Sequence, residues 1–439
     1  MSKFDQISMM MEKKIMPFAN KMGSQRHLAS MRDAFISLLP INLMGGIVAI
    51  LKSPPITEQT TNGFLLAWGR FAEANSWMFN WLYAFTLGAM ALYICIGITH
   101  FLCRYYKMNN FIPILFSVAG FFLIVTQPQE LGWAGKSLSF SYIDGKGLIP
   151  AIFISIWTVE LYHLMKEKNF GKISMPASVP PSLSDVFASL VPGLCILASY
   201  IAIFQIFNAF DTSLPEFIYV KMAPALKATD SIVFVILITT LTHVLWFFGI
   251  HDAALAGIMG PIRDGNLSMN ATAQMAGEEM GFVFTTPFWV YFVVIGGCGA
   301  VLGLAILLLR AKSKQLRTVG KVGLAPAFFG ISEPLIFGLP LMLNPIFFLP
   351  FVFAAVFNGI ITFVLMQIGL IGKTFSMVSW NMPSVFGAFF STLDWKAPVL
   401  VIVLTVLDML MYYPFVKFYD NQLYREEQEA EKTESGATK

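Results

Sequence analysis

Apolar stretches close to the length of a bilayer crossing recur along this chain, and they leave few architectures open. The clearest cover residues 82–102, 111–126, 148–165, 186–207, 231–250, 288–309, 345–371 and 399–416. A helix needs about 20 apolar residues to cross the hydrocarbon. Backbone groups there must pair within a helix or a closed barrel, and continuous apolar runs lack the alternation of barrel strands. The chain therefore reads as an all-α polytopic membrane protein. Of its 439 residues 56% are hydrophobic and 13% charged, against about 25% charged in an ordinary soluble domain.

In such a protein the placement of charge says more than the net value of +3. Residues 1–26 carry Phe4, Ile7, Met11, Ile15, Phe18 and Met22 at helical spacing, with Lys3, Lys13, Lys14, Lys21 and Arg26 among them. That pattern predicts an amphipathic helix on the cytoplasmic membrane surface rather than a signal peptide. Counting crossings onward from an inside start, two full crossings at 231–250 and 288–309 would leave Arg310, Lys312, Lys314, Arg317 and Lys321 outside. This breaks the positive-inside rule, whereas residues 264–281, with Asp264, Glu278 and Glu279 and no lysine or arginine, read as an outside loop. Both difficulties vanish if residues 231 to about 261 enter and return on the same side. Residues 324–340, broken by Pro326, Gly330, Pro334, Gly338 and Pro340, read as a second hairpin entering from the opposite side. The polar tail from residue 421 is expected to fray in the cytoplasm, where both termini then lie.

The two expected hairpins share a signature. Phe247 to Asp252 reads FFGIHD, and Phe328 to Glu333 reads FFGISE. Gly249 and Gly330 permit tight turns, and opposed hairpin tips can leave backbone polar groups free for a ligand at the midplane. An ionised group at that depth costs roughly 3 kcal/mol on the lenient scale and is a functional candidate by default. His251 and Glu333 are those candidates; the bland alternative is that His251 bonds a nearby carbonyl and Glu333 caps a broken helix. Trp246, Trp289 and Trp380, with Phe247, Phe248 and Phe329, flank them. Indole faces beside a few polar groups suit a sugar, whose C–H faces stack while its hydroxyls demand partners. Asn381 adds an amide to the broken segment 379–390, while Asn344, Asn358 and Asp408 read as links between helices.

Cys95, Cys103, Cys195 and Cys298 show no metal-ligand spacing, and His243 and His251 do not form an H-E-x-x-H pair. Neither a metal nor another cofactor is expected, and nothing points to nucleic acid.

Four separated segments carry a resemblance: SVPPSLSDVFASLVPG (178–193), LWFFGIHD (245–252), GISEPLIFGLPLMLNPIFFLPF (330–351) and WNMPSVFGAFF (380–390). In these the chain resembles the membrane permease, or IIC component, of the lactose/cellobiose/diacetylchitobiose branch of the bacterial phosphoenolpyruvate:sugar phosphotransferase system. The resemblance implies about ten transmembrane helices, two re-entrant hairpins and amphipathic surface helices in the bacterial inner membrane. It also implies a homodimer formed through the N-terminal half. The organisation is then an amphipathic segment (1–26), an N-terminal half (27–228), a C-terminal half with the sugar site (229–420) and a tail (421–439).

By the same resemblance, a β-linked disaccharide is carried inward and its 6-hydroxyl attacks a phosphoryl group on a cysteine of a separate cytoplasmic IIB protein, with IIA upstream. Cellobiose leads, followed by diacetylchitobiose and lactose. His251 and Glu333 match the family's sugar-contacting histidine and glutamate, with Trp246, Trp380 and Asn381 near the site. Ser332 stands where the family often has Asn or Thr and is carried as a contact candidate. His251 is the expected proton acceptor, and residues 310–321 form a candidate docking surface for IIB. The competing reading is a proton-coupled sugar symporter that uses Glu333 as its proton carrier.

Overall fold

The computed structural model describes residues 24–56, 60–126, 129–130, 136–173, 181–339 and 341–437. The expected surface helix of residues 1–26 lies almost wholly outside them. The N-terminal half comprises α1 (Arg26–Ser37), α2 (Leu39–Lys52), α3 (Gly63–Ala74), α4 (Ser76–Ala84), α5 (Met90–Tyr105), α6 (Phe111–Ile124), α7 (Leu148–Glu167), α8 (Pro181–Ala188), α9 (Leu190–Asn208) and α10 (Leu214–Thr229). The C-terminal half comprises α11 (Ile232–Phe247), α12 (Ala256–Ala276), α13 (Leu302–Leu308), α14 (Lys314–Phe328), α15 (Glu333–Gly338), α16 (Pro345–Gln367), α17 (Ser384–Thr392) and α18 (Lys396–Ala437). One antiparallel pair of two-residue strands, Gln129–Glu130 with Lys136–Ser137, interrupts an otherwise helical chain.

Among the described residues five helical stretches are long and apolar enough to cross a membrane, and α1 with α2, bent by 47°, makes a sixth. Helices α6 and α11 are apolar but only 14 and 16 residues long. By length and composition alone the expected figure of about ten is not reached.

Helix α5 is the hub of the N-terminal half, packing on α1, α6 and α7. In the C-terminal half α11 lies along α16, which in turn meets α18. That last contact holds Asn358 Nδ2 donating to Asp408 Oδ2 at 3.0 Å. Asn344 instead caps its own helix, accepting from the Ile346 amide.

Four expectations are corrected. Residues 264–276 are not loop: α12 runs through them to Ala276 and ends on Gly277 at φ +74°. Glu278 and Glu279 are exposed beyond that end, whereas Asp264 lines a cavity together with Arg263. Residues 288–309 are not one continuous helix. A single α-turn (Thr286–Phe288) passes into a π-helical turn (Trp289–Val293), and the chain is irregular until Leu302. Gly296, Gly297, Gly299 and Ala300 all have positive φ there, a geometry no α-helix accommodates. The second hairpin begins at Lys314 rather than Leu324, so most of the basic cluster is helical. Finally, the tail does not fray. Helix α18 continues through Ala437, 42 residues in all, or about 60 Å at the α-helical rise and about twice the hydrocarbon thickness.

Candidate functional site

Both FFGI repeats end a helix in the same way. At the end of α11 the Ile250 amide donates to Leu245 O at 2.9 Å and the Gly249 amide to Trp246 O at 2.9 Å. At the end of α14 the Ile331 amide donates to Pro326 O and the Gly330 amide to Ala327 O, both at 3.0 Å. Each is a glycine-terminated C-cap, with Gly249 at φ +89° and Gly330 at φ +78°. The Gly249, Ile250, Gly330 and Ile331 amides are therefore paired within their own turns, and the next residues of each turn carry side chains toward the site.

Those side chains meet. His251, Glu333, Trp246, Trp380, Asn381 and Ser332 all line one cavity of about 350 Å³, within the usual range of ligand pockets of roughly 300–1,000 Å³. Trp289 lines it too, whereas Phe247 and Phe248 are buried in the core and Phe329 is exposed. The glycine-rich break supplies another wall through Gly297 and Cys298. A Cβ on Gly297 would stand 2.5 Å from that of Ser332, so only glycine allows the two segments to come this close.

His251 leaves the end of α11 and opens a short turn (Asp252–Ala254). Its ring lies 4.8 Å from that of Trp246, centroid to centroid. Nδ1 is 2.8 Å from Asp252 Oδ1 and 3.1 Å from the Ala253 amide nitrogen. A ring lone pair against a carboxylate at 2.8 Å would be repulsive, so the proton belongs on Nδ1, donated to Asp252. In the neutral ring Nε2 then keeps its lone pair. With the proton on Nδ1 the Ala253 amide finds no lone pair there, and the partner of the ring is a carboxylate rather than a nearby carbonyl. Glu333 is the first residue of α15, but among the described residues its carboxylate has no hydrogen-bond partner.

Four further residues of the cavity went unassigned in the sequence. Asp252 stood in the quoted FFGIHD without a role. Arg263 and Asp264 sit on α12, and Arg32 comes from α1 in the N-terminal half. An adjacent Arg and Asp within a glycine-rich, otherwise apolar stretch (256–267) was the available signal, because charge at membrane depth points to a cavity. The Asp264 carboxylate accepts from the Thr286 hydroxyl, and Arg32 pairs with Asp33 at 2.8 Å. Among the described residues no cluster of three or more His, Cys, Asp or Glu could hold a metal ion.

The chain was compared with known proteins. The profile of the family described as Phosphotransferase system, EIIC matches residues 32–355. The lichenan permease IIC component of Bacillus subtilis (strain 168) is 30% identical over 454 residues, covering 99% of this chain and 98% of that protein. The cellobiose-specific EIIC component of Geobacillus stearothermophilus is 30% identical over 455 residues, covering 99% and 98%. Among solved structures, ChbC, the IIC component from the N,N'-diacetylchitobiose-specific phosphotransferase system, superposes with a TM-score of 0.85. It is 28% identical and covers 95% of this chain and 99% of its own.

Proposed function

The chain belongs to the phosphotransferase system EIIC family, and from that premise we propose that it carries a β-linked disaccharide inward and presents the 6-hydroxyl for phosphorylation. It is a multi-pass membrane permease for sugars of the β-glucoside, cellobiose and lactose type, working with IIB and IIA components. Cellobiose is the leading substrate, then diacetylchitobiose or lactose; similar proteins are named for each of the three. The protein is a homodimer through its N-terminal half, with both termini in the cytoplasm.

One observation carries the site assignment: His251 and Glu333, eighty-two residues apart, line the same cavity with three tryptophans. The sugar stacks on indole faces, while Glu333 accepts from hydroxyls and fixes the ring. His251 Nε2 takes the proton from the 6-hydroxyl as its oxygen attacks phosphorus. The O–P bond forms as the S–P bond of the IIB phosphocysteine breaks, and the thiolate leaves on IIB. Such transfer depends chiefly on positioning and on charge stabilisation.

Proteoliposome uptake with and without phosphorylated IIB tests this reading. Sugar should appear inside as its 6-phosphate only when phosphorylated IIB is enclosed. Accumulation of free sugar driven by a pH gradient alone overturns the reading in favour of a symporter.

A further inference from the structure

Arg263 is the one cation of the cavity wall that the described structure leaves without a hydrogen bond. Its Nε is buried and unpartnered, and among the described residues no hydrogen bond or ion pair engages the guanidinium. The side chain lies over Trp289, 5.3 Å from the ring centroid, a cation–π contact that limits its movement. Asp264 and Asp252 supply the nearby negative charge. Both are otherwise engaged, Asp264 with Thr286 and Asp252 with His251.

The guanidinium lines the cavity with no protein acceptor for its terminal nitrogens among the described residues, and a charged donor is stabilised by any acceptor brought against it. Those acceptors come from what the cavity receives. The local charge decides their class. With Asp252, Asp264 and Glu333 on the same wall and Arg32 already paired to Asp33, the cavity has no surplus positive charge for an anion. The fitting acceptors are neutral oxygens held side by side, and a guanidinium fork matches two vicinal hydroxyls.

We infer that Arg263, lying over Trp289, is a specificity-determining residue that reads a vicinal hydroxyl pair of the bound sugar. This rests on the sugar-permease reading.

The test is calorimetric titration of the purified full-length protein and its Arg263→Gln and Arg263→Lys variants. Cellobiose, diacetylchitobiose and lactose are the probes, followed by the monodeoxy analogues of the tightest. Arg263→Gln should weaken the parent sugar about tenfold to a hundredfold, and Arg263→Lys should restore part of that. One deoxy analogue, or two with adjacent positions, should bind wild type and Arg263→Gln alike, while the rest keep the difference. If Arg263→Gln does not fold, the same comparison is made with Arg263→Lys. Undiminished affinity in the variant, or an equal loss for every analogue, overturns the inference and leaves the permease reading intact. Failure of all three sugars to bind wild type removes both.

Discussion

Gly297 and Ser332 are packed so tightly that a methyl group on the glycine would stand 2.5 Å from the serine Cβ and 2.8 Å from its backbone nitrogen. Gly297 also has φ +103°. Gly297→Ala should therefore destabilise the protein by about 2 kcal/mol or more, from backbone strain and overpacking together. Thermal unfolding in detergent measures this. Gly297→Ala/Ser332→Gly should recover part of the loss, since it relieves the contact but not the φ strain.

His251 and Glu333 should separate binding from chemistry. His251→Ala is expected to lower phosphorylation by about a hundredfold or more while sugar still binds. Glu333→Ala should weaken binding itself by about a hundredfold. Titration of both variants checks the division of labour, and normal affinity in Glu333→Ala contradicts it.

Asp252 holds the proton on His251 Nδ1. In Asp252→Asn the side-chain NH2, with the Ala253 amide, can donate to an unprotonated Nδ1, so fewer molecules keep the Nε2 lone pair toward the sugar. Phosphorylation should fall roughly a hundredfold, with sugar affinity changed only a few-fold. A parallel fall in affinity would assign Asp252 to binding instead.

On the basic helix α14, the N-terminus is capped by two carboxylates of α18. Asp420 accepts from the Lys312 and Ser313 amides at 2.9 and 2.8 Å, and Glu427 from the Lys314 and Gln315 amides at 3.0 and 3.1 Å. Asp420→Ala should cost about 1 kcal/mol, as for a lost helix cap. Amide hydrogen exchange should accelerate across residues 312–318 and leave α16 unchanged.

Orientation is open to a labelling measurement. A cysteine at Glu279 should react with a membrane-impermeant maleimide added outside intact cells, and one at Lys321 only after permeabilisation. Three of the four native cysteines are buried, so their background should be low. The reverse pattern inverts the topology.

The long apolar runs were legible because helical burial in lipid asks only for length and hydropathy. The FFGI repeat was legible because two glycines at corresponding positions announce corresponding turns. Residues 288–309 misled for the opposite reason: hydropathy is blind to φ, and the run from Gly296 to Gly299 is apolar by composition while its backbone is not helical. Arg263 was passed over and Asp264 was grouped with the exposed Glu278 and Glu279, because a charge reads alike whether it faces open water or a cavity wall. The tail looked frayed by composition, yet α18 is tied to α14 through Asp420 and Glu427, contacts between distant stretches that composition does not reveal.

Arg32 and Phe35 line the cavity from α1, while every sugar-directed candidate lies between Trp246 and Asn381. A shift of α1 alone would widen the compartment and leave the side chains aimed at its contents in register, so cargo would be exposed before it is released.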